Sequence, residues 1–238
     1  ALISLASFDA VYVACAISGV IAFAAGLLLR EGHDEPVHAA RRELPGFWPS
    51  LASVLKDRGI MQVSLVEAAQ YLVFGAVEAF LALYASSLGI PAWQIGIILG
   101  VQLVSIVFAK PLMGRLSDRV GRAAVIVPGL LVGAASVALL ILAKGFVSLT
   151  LLSLVFGIGF ATVTSSTTAL VADLTKDGRF GSSMGVLRTV MDVGQSIGPV
   201  LTGFVIGVAG YASAFGVLAA ILALATLLLR GLPAPASR

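Results

Sequence analysis

Residues 114–122 read Gly-Arg-Leu-Ser-Asp-Arg-Val-Gly-Arg, and they lie between two long apolar stretches, 93–113 and 123–143. Membrane hydrocarbon does not accept this density of charge, so we predict a short turn at a membrane face. Gly114 and Gly121 allow the backbone to turn tightly. The three arginines indicate the cytoplasmic face, because cytoplasmic loops carry an excess of basic residues.

Asp118 is the one acid in this stretch, and it precedes Arg122 by four residues. Its carboxylate can pair locally with Arg122, or it can face the positive end of a neighbouring helix. A charged loop at the membrane surface, without a function of its own, would explain the stretch equally well. The residues alone leave these alternatives open.

The composition is that of a membrane protein. The chain has 238 residues, of which 59% are hydrophobic and 11% are charged. Its mean hydropathy is +1.05. Soluble domains carry about 25% charged residues. The sequence opens in an apolar stretch without a methionine, and we interpret it as a fragment that is cut within or just before a membrane helix. A single cysteine, Cys15, excludes an intrachain disulfide.

Seven apolar stretches are long enough to cross a membrane, which takes about 20 residues each. The predicted fold is therefore all-α and polytopic. The stretches are 5–29, 59–84, 93–113, 123–143, 147–172, 183–208 and 211–229. Breaks between them fall at 89–91, 144–145, 177–178 and 210–211.

The basic residues support one orientation of these stretches. If residues 114–122 face the cytoplasm, 14 of the 15 basic residues lie on that side, and Lys144 is the exception. Such asymmetry follows the positive-inside rule. We therefore expect an integral protein of a bacterial or archaeal plasma membrane, with its central loop and its C-terminus in the cytoplasm.

The longest polar stretch divides the chain. Residues 31–58 predict a cytoplasmic linker that follows one membrane helix in residues 1–30. A six-helix bundle is predicted over residues 59–238. Within the linker, Phe47 and Trp48 with the following leucines predict a short helix at the membrane interface.

The stretch GRLSDRVGR resembles the inter-helix signature of the major facilitator superfamily, G-x-L-(A/S)-D-R-x-G-R. The family pattern usually continues with one or two basic residues, where Ala123 and Ala124 stand in this chain. The family carries its strongest copy between helices 2 and 3 and a weaker copy between helices 8 and 9. The linker that precedes six predicted spans places this copy between helices 8 and 9.

Further residues resemble helices 10 to 12 of the family. The run Gly198-Pro199 with Gly203 is similar to that of multidrug-efflux-type members. The resemblance implies the C-terminal half of a transporter: the last helix of a first bundle and a complete second six-helix bundle. It also implies a lipid bilayer and an N-terminal six-helix bundle as partners. The other matching residues are 169–173, Arg179, Gly181, Met184, Gly185, Arg188, Thr189, Asp192, Gly194, Ile197, Gly210, Tyr211 and Phe215.

Two glutamates lie on one stripe of the predicted helix over residues 59–84. Glu67 and Glu78 are eleven residues apart, which places them on the same face and roughly 16 Å apart along the helix axis. An acid within a membrane helix costs about 2.5–3.5 kcal/mol on insertion scales, so a pair indicates a wet or paired interior face. We expect Glu78 to be the proton carrier.

Each glutamate also has a structural interpretation. Glu67 lies near the predicted depth of Lys110, and an ion pair between the two would hold Glu67 in place. Glu78 has no basic residue at its depth, and it can instead lie close enough to the outer face to reach water. Both alternatives remain open from sequence.

Other polar and aromatic residues at membrane depth are candidates for a proton or substrate cavity. Gln102 and Gln195 can serve either as interhelical hydrogen-bonding groups or as substrate contacts. The hydroxyls in residues 162–168 favour bonding to their own helix, with cavity lining as the alternative. The remaining cavity candidates share the stripe of Glu67: Gln70, Tyr71 and Phe74.

A second group of residues is predicted to control conformational change. The resemblance implies that Asp118 and Arg119 stabilise one state, with Asp173 as their partner. Arg188 and Asp192 favour a local structural pair. Pro199 bends its helix, and the pairs Gly194/Gly198 and Gly203/Gly207 let backbones approach closely. The full set is Gly114, Asp118, Arg119, Gly121, Arg122, Asp173, Arg188, Asp192, Gly198 and Pro199.

These observations predict a secondary active transporter, with proton-coupled export of small, mostly apolar molecules by alternating access. The alternatives are a metabolite or sugar carrier of the same superfamily, or a receptor or scaffold that keeps the fold without transport. The chain carries no phosphate-binding motif with a lysine, and its two histidines, His33 and His38, lie in the linker and do not suggest a metal cluster. We therefore predict no enzyme site, no metal, no cofactor and no nucleic-acid partner.

Overall fold

A computed structural model of the chain describes residues 8–28, 47–175 and 179–229. The chain divides into two compact units, Ala1–Leu44 and Pro45–Arg238. Every regular element in the described ranges is a helix, so the predicted all-α fold is confirmed.

The first unit contributes one described helix, α1 (Phe8–Leu28). The second unit begins with a short helix, α2 (Phe47–Leu55), where the sequence predicts one. Asp57 is the N-cap of the helix that follows α2. Its carboxylate accepts hydrogen bonds from the backbone amides of Gly59 and Ile60. The predicted linker residues 31–46 lie outside the described residues, and the predicted domain boundaries remain predictions.

The rest of the second unit is a bundle of long helices. By length and composition, five helices in the described ranges are able to cross a membrane. A turn of 3₁₀-helix, Leu140–Leu142, extends the third of them. They are α3 (Arg58–Ser87), α4 (Ala92–Val120), α5 (Arg122–Leu139), α6 (Phe146–Leu174) and α7 (Phe180–Leu228).

Helix α7 contains a sharp break at Gly210, whose backbone angles are φ 77° and ψ 175°. Only glycine adopts such a conformation without strain. The break divides α7 into two segments, 180–209 and 211–228, each long enough to cross a membrane, so the bundle has six spans. The predicted break at 210–211 is therefore confirmed.

The sequence predicts a turn over residues 114–122, and this predicted length is wrong. Helix α4 continues through Val120, and α5 begins at Arg122, so Gly121 alone leaves the helical conformation, at φ 108°. Gly114 lies within α4 and has no positive φ. The charged residues therefore stand on helix ends rather than on a loop. We call the end of the bundle that holds residues 114–122 the signature end.

Glycines bring the backbones of α3 and α7 into direct contact. A methyl group on Gly194 would lie 2.3 Å from the carbonyl oxygen of Ala68, and one on Gly198 would lie 2.1 Å from that of Leu72. This close approach was predicted, and it is confirmed for both glycines. For Gly207 it is wrong, because a methyl group there would meet no atom within 4 Å.

Helix α6 packs in the same way against its neighbours. A methyl group on Gly157 would lie 2.0 Å from the hydroxyl oxygen of Ser105 in α4, and one on Gly159 would lie 3.1 Å from the carbonyl oxygen of Gly129 in α5. The two glycine contacts hold α6 inside the bundle, where it can present side chains to α3. At the end of the bundle opposite the signature end, Tyr84 of α3 meets Tyr211 of α7 with ring centroids 5.2 Å apart.

Candidate functional site

A buried acid links α3 to α6. Glu67 is only 2% exposed, and its carboxylate accepts a hydrogen bond from the hydroxyl of Thr167, which is fully buried. The two residues are 100 positions apart in the sequence, so this contact joins distant parts of the chain. A buried carboxylate is stabilised only by hydrogen bonds or a neighbouring cation.

An ion pair between Glu67 and Lys110, which the sequence left open, is not formed in the described bundle. The Nζ of Lys110 lies instead 5.9 Å from the centroid of the Phe160 ring, an arrangement that suits a cation–π interaction. Lys110 is exposed, so its amine keeps access to water or to a ligand at the surface of the bundle.

Three aromatic rings lie beside the Glu67–Thr167 contact. The Phe160 ring stacks on that of Phe74 at 4.3 Å between centroids, and it meets Tyr71 edge to face at 5.1 Å. Phe74 is nearly buried, whereas Tyr71 is half-buried. The cluster therefore presents an aromatic surface with one phenolic edge open, and Lys110 lies over one of its rings. Such a surface is suited to planar or apolar molecules.

Several buried polar atoms around this contact lack partners within the described bundle. Both side-chain polar atoms of Gln70 are unpaired, although the residue is 0% exposed. The hydroxyls of Thr164 and Ser166 on α6 are also buried and unpaired. Each such group costs about 1–3 kcal/mol unless it finds a partner.

The other hydroxyls of this part of α6 bond to their own helix, as the sequence favoured. Thr162 donates to the carbonyl of Ile158, and Thr168 donates to that of Thr164. Thr167 is within reach of the Val163 carbonyl as well as of Glu67. A hydroxyl has one proton to donate, so Thr167 cannot satisfy both oxygens at once.

The two glutamates of α3 occupy different environments, although they share a stripe. Glu78 is exposed at the surface of the bundle, while Glu67 is enclosed. Gln195 is half-buried on α7, and its side chain lies against Gly75 of α3. Gln102 is 2% exposed in the α4–α6 contact, with its side-chain oxygen unpaired. Glu78 is thus exposed and Gln195 half-buried, whereas Gln102 is buried.

At the signature end, Arg122 joins three helices. Its Nε donates to Asp173 Oδ2 on α6 at 3.1 Å, and its Nη1 donates to the hydroxyl of Ser117 on α4 at 3.1 Å. Nη1 also pairs closely with the Asp118 carboxylate. Local pairing of Asp118 with Arg122, one of the two alternatives, is therefore the one observed. Asp173, the implied partner of Asp118 and Arg119, bonds to Arg122, which also pairs with Asp118, whereas Arg119 is exposed.

A second predicted ion pair, on α7, is not formed. Arg188 and Asp192 lie one turn apart on α7, and both side chains are exposed. Within the described part of the chain they form no ion pair, so the predicted local pair is wrong. Gly198 lies against α3, as described above, and Pro199 follows it inside a helix that continues without a break until Gly210.

Two residues of this site were not singled out from the sequence. Phe160 is one apolar residue among many on α6, and only the fold shows that it faces Tyr71 and Phe74. Ser117 occupies a small-residue position of the signature. Its side chain is 1% exposed, and its hydroxyl accepts a hydrogen bond from Arg122. The signature includes Ser117 without indicating its bond to Arg122, and no signal in the sequence marks Phe160.

The helices and these polar groups define an α-helical, polytopic membrane protein of the transporter class. The model of the Major Facilitator Superfamily matches residues 63–238, so the chain belongs to that superfamily. Its members are generally carriers rather than enzymes.

Individual relatives agree with this assignment. The uncharacterized MFS-type transporter MJ1560 of Methanocaldococcus jannaschii is 24% identical over 161 residues, which are 68% of this chain and 42% of that protein. The quinolone resistance protein NorA of Staphylococcus aureus is 25% identical over 159 residues, which are 65% of this chain and 41% of NorA. The chain thus aligns with about two-fifths of the length of these curated relatives.

Proposed function

We propose that this chain is part of a secondary active transporter that exports small, mostly apolar molecules and is driven by protons. The observation that carries the proposal is the stripe of α3, which exposes Glu78 and, further toward the signature end, the edge of Tyr71 in an aromatic cluster. A titratable group beside an apolar binding surface is what coupling of protons to an apolar substrate requires.

The relatives support export as the direction of transport. NorA is named as a quinolone resistance protein, and resistance by a membrane carrier is most simply achieved by export. The aromatic cluster of Tyr71, Phe74 and Phe160 suits such substrates, because stacking tolerates many planar shapes. Proton exchange would proceed through Glu78, with Gln195 as a neutral polar contact.

The proposed mechanism is alternating access between two six-helix bundles, of which residues 59–238 supply one and a preceding part of the same protein supplies the other. The Arg122 network would hold the signature ends of α4, α5 and α6 together in one state. Bending at Pro199 and sliding at Gly198 would let α7 change its packing on α3. We place the protein in a bacterial or archaeal plasma membrane, with the signature end in the cytoplasm.

The deciding experiment is transport by the full-length protein in proteoliposomes. A fluorescent, planar, mostly apolar dye is loaded at equal concentration on both sides, and a pH gradient is then imposed. Uphill movement of the dye that collapses with a protonophore supports the proposal. Dye that binds but never moves uphill would favour a receptor or scaffold, and movement that ignores the pH gradient would favour a carrier of another type.

A further inference from the structure

Lys110 is a charged side chain that the proposed mechanism does not use. It lies on the membrane-spanning helix α4, it is exposed, and its ammonium lies over the Phe160 ring. That ring stacks on Phe74, which stands near the middle of α3, so the ammonium lies at membrane depth. A cation at this depth is costly unless it faces a water-filled cavity or a partner, and such residues mark substrate pathways.

The helices around the aromatic cluster place bases on two of its sides. Helix α3 packs on α6 and α7, and α6 packs on α4, so α4 and α7 flank the pair α3–α6. Lys110 of α4 reaches toward α3, because it lies within electrostatic range of Glu67 as well as over Phe160. On the other flank, Arg188 of α7 lies within electrostatic range of Tyr71.

The acids of this surface leave Lys110 without a close counterion. Glu67 is enclosed, and in the described ranges neither it nor the exposed Glu78 forms an ion pair with Lys110. Asp192 stands one turn from Arg188 on α7, so its charge offsets that of Arg188. The positive charge beside the aromatic rings is therefore that of Lys110.

We propose that the transported molecules are planar aromatic compounds that carry a carboxylate, and that Lys110 selects them. The carboxylate pairs with the ammonium of Lys110, and the aromatic ring of the substrate takes the place of that ammonium over Phe160. The inference rests on the proposed function, because it names the substrate class of the same aromatic surface.

The exchange of partners at Phe160 favours an anion over other aromatic molecules. A carboxylate offers Lys110 a charge-assisted hydrogen bond, which is stronger than its contact with the ring. The uncovered ring gains an aromatic neighbour in return. A neutral aromatic molecule would displace the ammonium without supplying a counterion, and a cationic one would repel it. The expected order of affinity is therefore carboxylate, then neutral molecule, then cation.

The test measures binding of three naphthalene compounds by the full-length protein in nanodiscs of zwitterionic lipid. The compounds 2-naphthoate, 2-naphthylmethanol and 2-naphthylmethylammonium share one ring system and are an anion, a neutral molecule and a cation. Equilibrium dialysis, with empty nanodiscs as the blank, gives each affinity. We expect naphthoate to bind about tenfold more tightly than the alcohol, and the ammonium compound to bind most weakly.

Variants connect this preference to Lys110. Lys110→Met removes the charge and keeps a flexible chain, so naphthoate should bind no better than the alcohol, while affinity for the alcohol is largely kept. Lys110→Arg retains a cation and should keep the preference. The matched control is Lys144→Met, which removes an exposed lysine in the connection before α6 and should change neither affinity. Equal affinities of the unaltered protein for naphthoate and the alcohol, or a preference that survives in Lys110→Met, would overturn the proposal.

This measurement uses no pH gradient, so its outcome is separate from that of the export experiment. A preference for naphthoate in a protein that moves no dye uphill would keep Lys110 as the recognition residue and refute proton-driven export. Uphill movement of dye by a protein that binds the three naphthalene compounds equally would keep export and refute the substrate class.

Discussion

Arg122, at the start of α5, donates a hydrogen bond from Nε to Asp173 Oδ2 near the end of α6, across 3.1 Å. The same guanidinium pairs with Asp118 and bonds to Ser117, so one side chain ties the signature ends of three helices. Its side chain is 18% exposed, whereas the Asp118 and Asp173 side chains are 57% and 51% exposed. The network is therefore centred on a half-enclosed base with two solvated acids.

Asp118→Asn is expected to slow substrate exchange while equilibrium substrate binding and folding stay largely intact. The acid is solvated, so its loss should cost at most about 1 kcal/mol of stability, yet it removes a charge that biases one conformational state. Exchange rates and dye affinity are measured on the same reconstituted protein. Lost affinity at a normal exchange rate would contradict this expectation.

Asp118 and Asp173 both bond to Arg122, so we expect their effects on transport to be coupled. The effects of Asp118→Asn and Asp173→Asn on the exchange rate should not add in the double variant, because both acids act through one guanidinium. Arg122→Lys should not substitute for arginine, since an ammonium lacks the planar fork that reaches two carboxylates. Full additivity would show that the two acids act independently.

Gly198→Ala is expected to destabilise the bundle by about 1–3 kcal/mol, in the range of other overpacking substitutions. Its added methyl group would lie 2.1 Å from the backbone carbonyl of Leu72, which cannot move without shifting α3. Gly207→Ala is the matched control on the same helix, because no atom lies within 4 Å of its added methyl group. Thermal unfolding in detergent separates the two variants, and equal unfolding temperatures would argue against the contact.

The sequence predicts the helices well because each signal is local. Apolar length, glycine breaks and basic residues identify the spans, and the break at Gly210 is found at its predicted place. The signature turn is mispredicted because charge alone does not end a helix: a helix end can project from the membrane, and α4 continues to Val120.

The candidate site is less predictable because it depends on which helix faces which. Helical periodicity puts Glu67 and Glu78 on one stripe, but packing of α6 encloses only Glu67. The partner of Glu67 follows from the fold as well: the sequence left an ion pair with Lys110 open, whereas the structure shows a hydrogen bond from Thr167. The contacts of Phe160 and Ser117 cannot be predicted before it is known which helices pack together.

Cysteine labelling of the full-length protein on a Cys15→Ala background tests the orientation. Arg115→Cys at the signature end should react only with a reagent applied from the cytoplasm, and Ser87→Cys at the opposite end of α3 only with one applied from outside. Both positions are exposed at the surface of the bundle, so access does not limit the reaction. Labelling of Arg115→Cys from outside would reverse the orientation.

Glu78→Gln is expected to abolish uphill, proton-driven transport while downhill exchange of substrate persists. Glutamine keeps the shape of the side chain and mimics the protonated acid, so binding and conformational change remain possible, but no proton can be loaded or released. Glu78 is exposed, and the substitution should therefore leave stability within about 0.5 kcal/mol, as is usual for surface changes.

The measurement compares dye accumulation against its gradient with dye exchange at equal pH, using the same proteoliposomes. Glu78→Asp is the matched control, because it retains a carboxylate one methylene shorter and should keep part of the uphill transport. A Glu78→Gln protein that has lost both activities but folds normally would place Glu78 in substrate binding instead. If that variant still accumulates dye against its gradient, another group carries the proton, and the buried Glu67 would be the next acid of α3 to test.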